Sequence, residues 1–455
     1  MANLNVAFYT AQTGLFTNQK RLSVTSNNVA NLQKPGYHRQ TVNVQNMPPV
    51  DTPQGQFGTG SHVISVVRNF DLALETSLRQ ATSQYGYEDI YSDHINYLEG
   101  ALAPNAISDL ASAVQDFADA IQHVATRPEA VDARNEFLST AQTLANQFNT
   151  DYATVTNLRD SIADSSGNGI IANKITDFNS MVEQINDLNQ KIANAEARLF
   201  NPPNANDLRD QRDQLVLELS EFTDLSVTEE SNGGYTITVG GHTLVDGTAY
   251  TYDSLQLDMS GGTPVYQWNN GGSPTAATIT EGQLAGLADA WNYQNSYASD
   301  LWNFATNFAT AVNTEHANGY DLNDNAGANV FDASTPGAMS LLLSDPDTIA
   351  AASTSGEHGD GSNMTSMWDT LNTGGYLEKP DTLTDSVALE AQTASVRAET
   401  AKDARQLFTD AIQSTSGVNI DEEMMDMLEA QRAFQASSKV VSIIDNMLGT
   451  AIQMI

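Results

Sequence analysis

Apolar residues recur every seven positions near the start of the chain, at Phe8, Leu15, Leu22 and Val29, with Leu4 and Ala11 beside that column. So narrow a stripe predicts a helix over 4–31 that seeks a partner helix rather than a broad core. Pro35 pushes Lys34 out of the α region and Gly36 follows, so the helix is predicted to stop near Gln33. Residues 41–70 carry Pro48, Pro49 and Pro53 and read as an extended connector followed by a short strand at 62–67. Residues 71–200 read as mostly helical, with breaks at Gly100 to Pro104, Arg127-Pro128 and Gly167 to Gly169, closed by Pro202-Pro203. A further helix opens near Asp207 with Leu208, Leu215, Leu219 and Phe222 on one face.

The period then changes. Between Leu225 and Thr280 the chain alternates, as in Tyr235-Thr236-Ile237-Thr238-Val239, with hairpin signals at Asn232-Gly233-Gly234 and Gly240-Gly241. Helical spacing returns over 281–318 through Leu284, Leu287, Trp291, Leu301, Phe304 and Phe308, and a loop-rich stretch fills 319–380. Helix resumes near Asp385. The last helix has a marked start: Gly417 breaks the preceding run, Asn419 is an N-cap, and Glu422 completes a capping box. Asp421, Glu422 and Glu423 suit the positive end of the macrodipole. A second seven-residue column follows at Ile420, Met427, Phe434, Val441, Leu448 and Ile455, widened by Met424, Ile444 and Ile452.

Neither end helix has nearby sequence to cover its stripe, so the two are predicted to cover each other as a coiled coil. Packing of both on one globular core is the alternative. Charge favours pairing, because residues 1–45 contain Lys20, Arg21, Lys34 and Arg39 and no acid, whereas 406–455 contain seven acids against Arg432 and Lys439. The fold predicted is mainly α with a β insertion, elongated and multidomain. It comprises a terminal coiled-coil domain (1–45 with 405–455), a helical-bundle middle domain (46–222 with 281–404) and a small all-β outer domain (223–280), the last placed farthest from the coiled coil.

Composition narrows the function. The chain of 455 residues has a formal charge of −36, which disfavours nucleic acid and anionic lipid as partners. It has no cysteine, so disulfides, thiolate catalysis and thiolate metal sites are excluded. No leader of the Sec type opens it and no run of about eighteen apolar residues occurs, so no membrane insertion is expected. The seven histidines are scattered, and no HExxH, Gly-x-Ser-x-Gly or GxxxxGK[ST] pattern is present; neither catalysis nor a cofactor is expected. Asp321, Asn323, Asn325 and Asp332 have calcium-loop spacing. Position six is Ala326 rather than Gly and position twelve lacks Glu, so they read as a polar turn. Trp291, Trp302 and Phe304 read as core.

The stretch Thr25-Ser26-Asn27-Asn28-Val29-Ala30-Asn31, then Pro35-Gly36-Tyr37, resembles the N-terminal signature of the flagellar axial proteins: rod, hook and hook-associated subunits. Ser416-Gly417-Val418-Asn419 through Glu429-Ala430-Gln431-Arg432-Ala433-Phe434-Gln435-Ala436-Ser437 resembles their C-terminal signature. Tyr37-His38-Arg39-Gln40, Asp207 through Leu215, and Val312-Asn313 through His316, Gly319 and Asp321 are similar to the hook-associated branch more than to hook protein. Leu32-Gln33-Lys34 departs from the usual lead into Pro-Gly-Tyr.

The resemblance implies a structural subunit exported unfolded by the flagellar type III apparatus, first cytoplasmic and then extracellular at the hook–filament junction. Implied partners are hook protein, a second junction protein on the filament side, other copies of the chain, and a cytoplasmic export chaperone. The assembly interface would comprise Leu4, Phe8, Ala11, Leu15, Leu22, Val29, Ile420, Met424, Met427, Phe434, Val441, Leu448 and Ile452. Asn27, Asn28 and Asn31 would bond across subunits. The chaperone would take Met424, Met427, Phe434, Val441 and Leu448. Alternatives are a hook or distal-rod subunit, a secreted adhesin or hydrolase acting through the β insertion, and a cytoplasmic coiled-coil scaffold.

Overall fold

The structure, a computed structural model, describes residues 2–52, 55–102, 109–197 and 204–453. Helix α1 (Ala2–Ala30) is followed by β1 (Gln40–Asn46), β2 (Val50–Thr52), β3 (Gly55–Phe57) and β4 (Ser61–Arg68). Helices α2 (Leu72–Leu102), α3 (Leu110–Thr126), α4 (Val131–Ile162), α5 (Ile170–Glu196) and α6 (Asn206–Phe222) come next. Strands β5 (Ser226–Glu229), β6 (Tyr235–Val239), β7 (His242–Asp246), β8 (Thr251–Tyr252), β9 (Ser254–Asp258), β10 (Val265–Asn269) and β11 (Thr275–Ala276) precede α7 (Gly282–Ala317). The chain closes with β12 (Phe331–Asp332), β13 (Ser340–Leu341), α8 (Ser362–Thr373), α9 (Lys379–Ser416) and α10 (Ile420–Gln453).

The first and last helices do pair. Asn28 lies opposite Glu423, Arg21 opposite Glu429 and Gly14 opposite Ser437, so α1 and α10 run antiparallel. Their main packing is on each other and, for α1, on strands β1 and β4, not on the helical body. The expected capping residue acts: Asn419 Oδ1 accepts from the Asp421 N–H at 3.0 Å.

The strand expected at 62–67 is present as β4, but the stretch before it is not a plain connector. β1 pairs with β4 from Gln40↔Arg68 to Asn46↔Ser61, and β2 with β3 at the far end, forming one long antiparallel hairpin. It lies along α1, where the Thr17 hydroxyl donates to the Ser61 carbonyl at 3.4 Å. Gly60 has φ +100°, and a Cβ there would strike Thr13, so the hairpin can approach α1 only with glycine at that turn.

The helical body has two cores. In one, α3, α4, α8 and the second half of α7 enclose an aromatic cluster in which Phe308 stands 6.0 Å from Phe117, 6.3 Å from Phe148 and 6.0 Å from Phe304 and Tyr376. In the other, α5, α6 and the first half of α7 share Phe178, Leu219, Phe222 and Trp291 with sheet residues Ile237, Val239 and Trp268. The β region forms where alternation predicted it, as sheets β5-β6-β7-β8 and β9-β10-β11. It shares its core with α6, the helix that also receives the terminal unit. Trp291, Trp302 and Phe304 are buried, as expected, with the Trp291 indole donating to the Ala163 carbonyl at 2.9 Å. Helix α8 arises within the stretch read as loop. Its Met364, Met367 and Leu371 are fully buried at helical spacing. The predicted closure at Pro202-Pro203 lies outside the described residues.

Candidate assembly interface

Along α1, Leu4, Phe8, Ala11, Leu15, Leu22 and Val29 are partly buried, as are Met427, Phe434, Val441 and Leu448 along α10. Met424 and Ile420 point outward, 54 % and 46 % exposed. The Ile452 side chain and Ile455 lie outside what is described. The seam read from the sequence is therefore largely where α1 and α10 meet, and two of its members stay open.

The asparagines make hydrogen bonds within the chain. Asn28 is buried, and all its capacity is used within the chain. Its amide nitrogen donates to the Gln40 carbonyl and to Glu423 Oε2, each at 2.9 Å. Its oxygen accepts from the Gln40 N–H at 3.0 Å and the Tyr37 hydroxyl at 2.8 Å. Asn27 donates to Tyr37 at 3.3 Å, and Asn31 donates back to Asn27 Oδ1 at 3.0 Å. Arg39 completes the arrangement, with Nε 2.6 Å from Glu423 Oε1 and Nη2 3.1 Å from Asp426 Oδ2. The Asn-Asn and Pro-Gly-Tyr stretches thus fold onto each other and clamp the start of α10. Gly36 is needed at the bend. Its φ is +69°, and a Cβ there would come within 2.6 Å of Gln214 Oε1 on α6.

Beside this clamp lies a buried ionic cluster that joins the terminal unit to the body. His38 Nδ1 is 2.9 Å from Asp210 Oδ1 on α6, and its Nε2 is 3.1 Å from Glu75 Oε1 on α2. Arg68, at the end of β4, places Nη1 2.6 Å from Asp210 Oδ1 and 2.7 Å from Asp213 Oδ2, with its guanidinium 5.1 Å from the centre of the Phe70 ring. His38, Asp210 and Asp213 hold potential metal-ligand atoms within 4.8 Å of one another. Arg68 already stands between the two aspartates as their cation, so the trio is neutralised from within.

Burial is the largest influence on His38 and disfavours its charge, but hydrogen bonds and attraction from Asp210 and Glu75 outweigh it and raise its pKa from 6.5 to about 9. A raised histidine stabilises the fold fully below 6.5 and loses that contribution as pH rises through about 9. Thermal unfolding followed from pH 7 to 10 is therefore expected to show a declining midpoint, and His38→Gln to flatten the decline. An unchanged slope in the variant would reject this assignment.

Helix α6 explains why Asp207 to Leu215 is such a dense charged stretch. Asp207, Asp210 and Asp213 lie on one side at i, i+3, i+6 spacing and receive Gln40, His38 and Arg68. On the other side Arg209 meets Glu196 through two bonds of 2.9 Å, and Arg212 donates to the Gly233 carbonyl at 2.6 Å with its guanidinium 3.4 Å from the centre of the Tyr235 ring. One helix thus carries acids for the terminal unit and arginines for the β region.

The stretch around Asn313 and His316 is likewise structural. Asn313 Oδ1 accepts the N–H groups of Val330 and Phe331 at 2.7 and 3.0 Å. His316 donates from Nδ1 to the Ala328 carbonyl at 2.6 Å and accepts the Ala350 N–H on Nε2 at 2.9 Å, and burial lowers its pKa to about 4. Asp321 accepts the N–H groups of Asn323 and Asn325, while Asp332 caps its own turn at Ser334. These two carboxylates serve separate local turns.

Similarity to known proteins fits this division of the chain. The sequence model described as the flagellar hook-associated protein FlgK helical domain matches residues 95–331, more than half of the chain. The chain belongs to this family. Its ends match two further flagellar models: the basal body rod protein over 8–38, which covers α1 from Phe8 onward and the bend, and the basal body rod FlgEFG C-terminal region over 411–454, which covers α10. Flagellar hook-associated protein 1 of Bacillus subtilis (strain 168) is 26 % identical over 510 residues, covering 99 % of this chain and 98 % of that protein. The proteins of that name in Salmonella typhimurium and Escherichia coli K12 are 30 % and 28 % identical over 72 % and 75 % of this chain. The matched parts span only 59 % and 62 % of those two proteins. The solved flagellar hook junction protein FlgK from Burkholderia pseudomallei is 28 % identical, with a TM-score of 0.47 over 57 % of this chain and 46 % of that one. As a FlgK-family member the chain is a structural protein of the flagellar hook–filament junction. The helical-domain match lies between the two rod-family matches and places the chain with the hook-associated family.

Proposed function

We propose that this FlgK-family chain is exported by the flagellar type III apparatus, is held outside the cell at the hook–filament junction by its terminal helices, and serves as scaffold rather than catalyst. One observation carries the reading: the α1–α10 pair stands apart from both cores and keeps large apolar side chains in the open. Tyr9 and Phe16 project from α1, and Met424, Met425, Leu428, Val440, Ile443 and Met447 from α10, each at least 45 % exposed. A lone soluble subunit has no use for such surface; a packed tube covers it. Its neighbours there would be hook protein, a second junction protein on the filament side, and further copies of itself.

The same helices fit a passage through the cytoplasm under a chaperone. Met427, Phe434, Val441 and Leu448 are partly covered once α1 is in place, whereas Met424 is open. A chaperone holding all five would compete with α1, keeping the ends unpaired until export.

Deleting residues 420–455 tests the reading. Cells carrying the truncated chain are expected to grow complete hooks, to lack filaments and to lose flagellin to the medium. Filaments of normal length on the truncated chain would reject assembly through the terminal pair.

A further inference from the structure

A cleft of about 610 Å³ opens in the body of the chain, bounded by α2 (Arg79, Ser83), the link from α6 to β5 (Asp224, Leu225), Glu281 at the head of α7, and Phe408 of α9. None of its lining residues belongs to α1, the hairpin or α10. Its charges are unmatched. Arg79 is 6 % exposed, yet its guanidinium donates only from Nη2 to Thr76 Oγ1, at 3.0 Å, and no carboxylate pairs with it among the described residues. Burial lowers its pKa, outweighing the attraction of Glu75 and Asp213, which are themselves bonded to His38 and Arg68. One turn further along α2, Ser83 is 1 % exposed and its hydroxyl has no hydrogen-bond partner. Two sets of unused donors thus share one face of α2 at i, i+4 spacing. Asp224 and Glu281 are unmatched in the opposite sense. No cation pairs with either among the described residues, and burial together with the charge of Asp224 raises the Glu281 pKa. Buried polar groups are normally satisfied within the fold. Here both signs are left open in one cleft.

The structure assigns this cleft to a zwitterion of the amino-acid or short-peptide class, with its carboxylate on Arg79 and Ser83 and its ammonium group facing Asp224 and Glu281. The planar fork of a guanidinium suits a carboxylate, and the serine hydroxyl adds a further donor. A purely anionic ligand such as phosphate would meet the two acids, and a plain cation would meet Arg79. A molecule carrying both signs satisfies each group and is repelled by none. Leu225, Ala404 and Phe408 give apolar contact to the carbon chain between its charged ends. The volume lies within the ~300–1,000 Å³ usual for small-molecule sites. Because the cleft is built from α2, the β region, α7 and α9, its occupancy does not depend on assembly through the terminal helices.

Titration of the purified full-length chain with 6-aminohexanoate, followed by calorimetry, tests the assignment, since the flexible chain of this probe adapts to a range of charge separations. It is expected to bind, while hexanoate and hexylamine, each lacking one charge, bind at least about tenfold more weakly. Arg79→Met should abolish the preference over hexylamine, and Asp224→Asn should reduce the preference over hexanoate. Side chains with a structural role alone would change thermal stability and leave both preferences intact. No binding of 6-aminohexanoate up to about 10 mM, or equal binding of all three compounds, would overturn the site. Should Arg79→Met fail to fold, Ser83→Ala takes its place. Weaker binding of 6-aminohexanoate with that of hexylamine unchanged then supports the site, and unchanged binding of both rejects it.

Discussion

Replacing Arg68 by methionine should destabilise the joint between the terminal unit and the helical body by about 3–5 kcal/mol, the usual effect of removing one partner from a buried ion pair. Arg68 Nη1 lies 2.6 Å from Asp210 and 2.7 Å from Asp213, and the three side chains are 7 %, 3 % and 5 % exposed. Methionine keeps much of the bulk over Phe70 and leaves His38 as the positive charge in contact with Asp210. Because the chain has more than one core, a single global unfolding energy would blur the effect. Hydrogen exchange in α6 and at the start of α2 is the suitable measurement. Adding Asp213→Asn should return a substantial part of the loss, because the uncompensated charge rather than the lost contact dominates the penalty. A loss below about 1 kcal/mol, typical of a surface pair, would show that water reaches the cluster.

Asn28→Leu should cost about 2–4 kcal/mol, since buried polar groups left without partners lose more than a typical hydrogen bond contributes. Leucine has similar volume but strands the Gln40 N–H and carbonyl and removes one of the two donors to the buried Glu423. The effect should stay within the terminal unit, because Asn28 bonds only to residues of that unit. Limited proteolysis is expected to release fragments from residues 1–45 and from α10 while α2 through α9 resist, and junctions should fail to support filaments. Cleavage spread through the helical body would instead show that the terminal clamp holds the whole fold.

These substitutions mark where sequence reading reached and where it stopped. The α1 and α10 seams were visible because burial against one partner helix imprints a seven-residue period, and the half-buried Phe8, Leu15, Phe434 and Val441 keep it. The β region was visible because Tyr235, Ile237 and Val239 face a core while Thr236 and Thr238 do not. Strand β4 forms where a strand is expected at 62–67, but its partner β1 and the hairpin they make are not legible in the sequence. A two-stranded ribbon lying on a single helix leaves Val44, Ile64 and Val67 more than a third exposed, so alternation is faint, and Pro48 and Pro49 argue against strand. Helix α8 was missed for its brevity, although Met364, Met367 and Leu371 carried a usable signal. The ionic cluster could not be read locally: His38, Glu75 and Asp210 are far apart in the chain, and each alone looks like a surface charge. Asn28 was singled out for its signature, but a sequence does not say whether an asparagine turns toward its own chain or its neighbour.

The backbone passes between the terminal unit and the body twice, at 69–71 and 417–419. A rod tethered by two links alone keeps a freedom to swing. Here the bend at 34–38 grips a third helix, α6, through His38, and Arg39 bonds the Ser416 carbonyl beside the second crossing. Three anchorages on α2, α6 and α9 make a tripod. A twist of the α1–α10 pair against the body is therefore shared among three helices rather than concentrated on one linker.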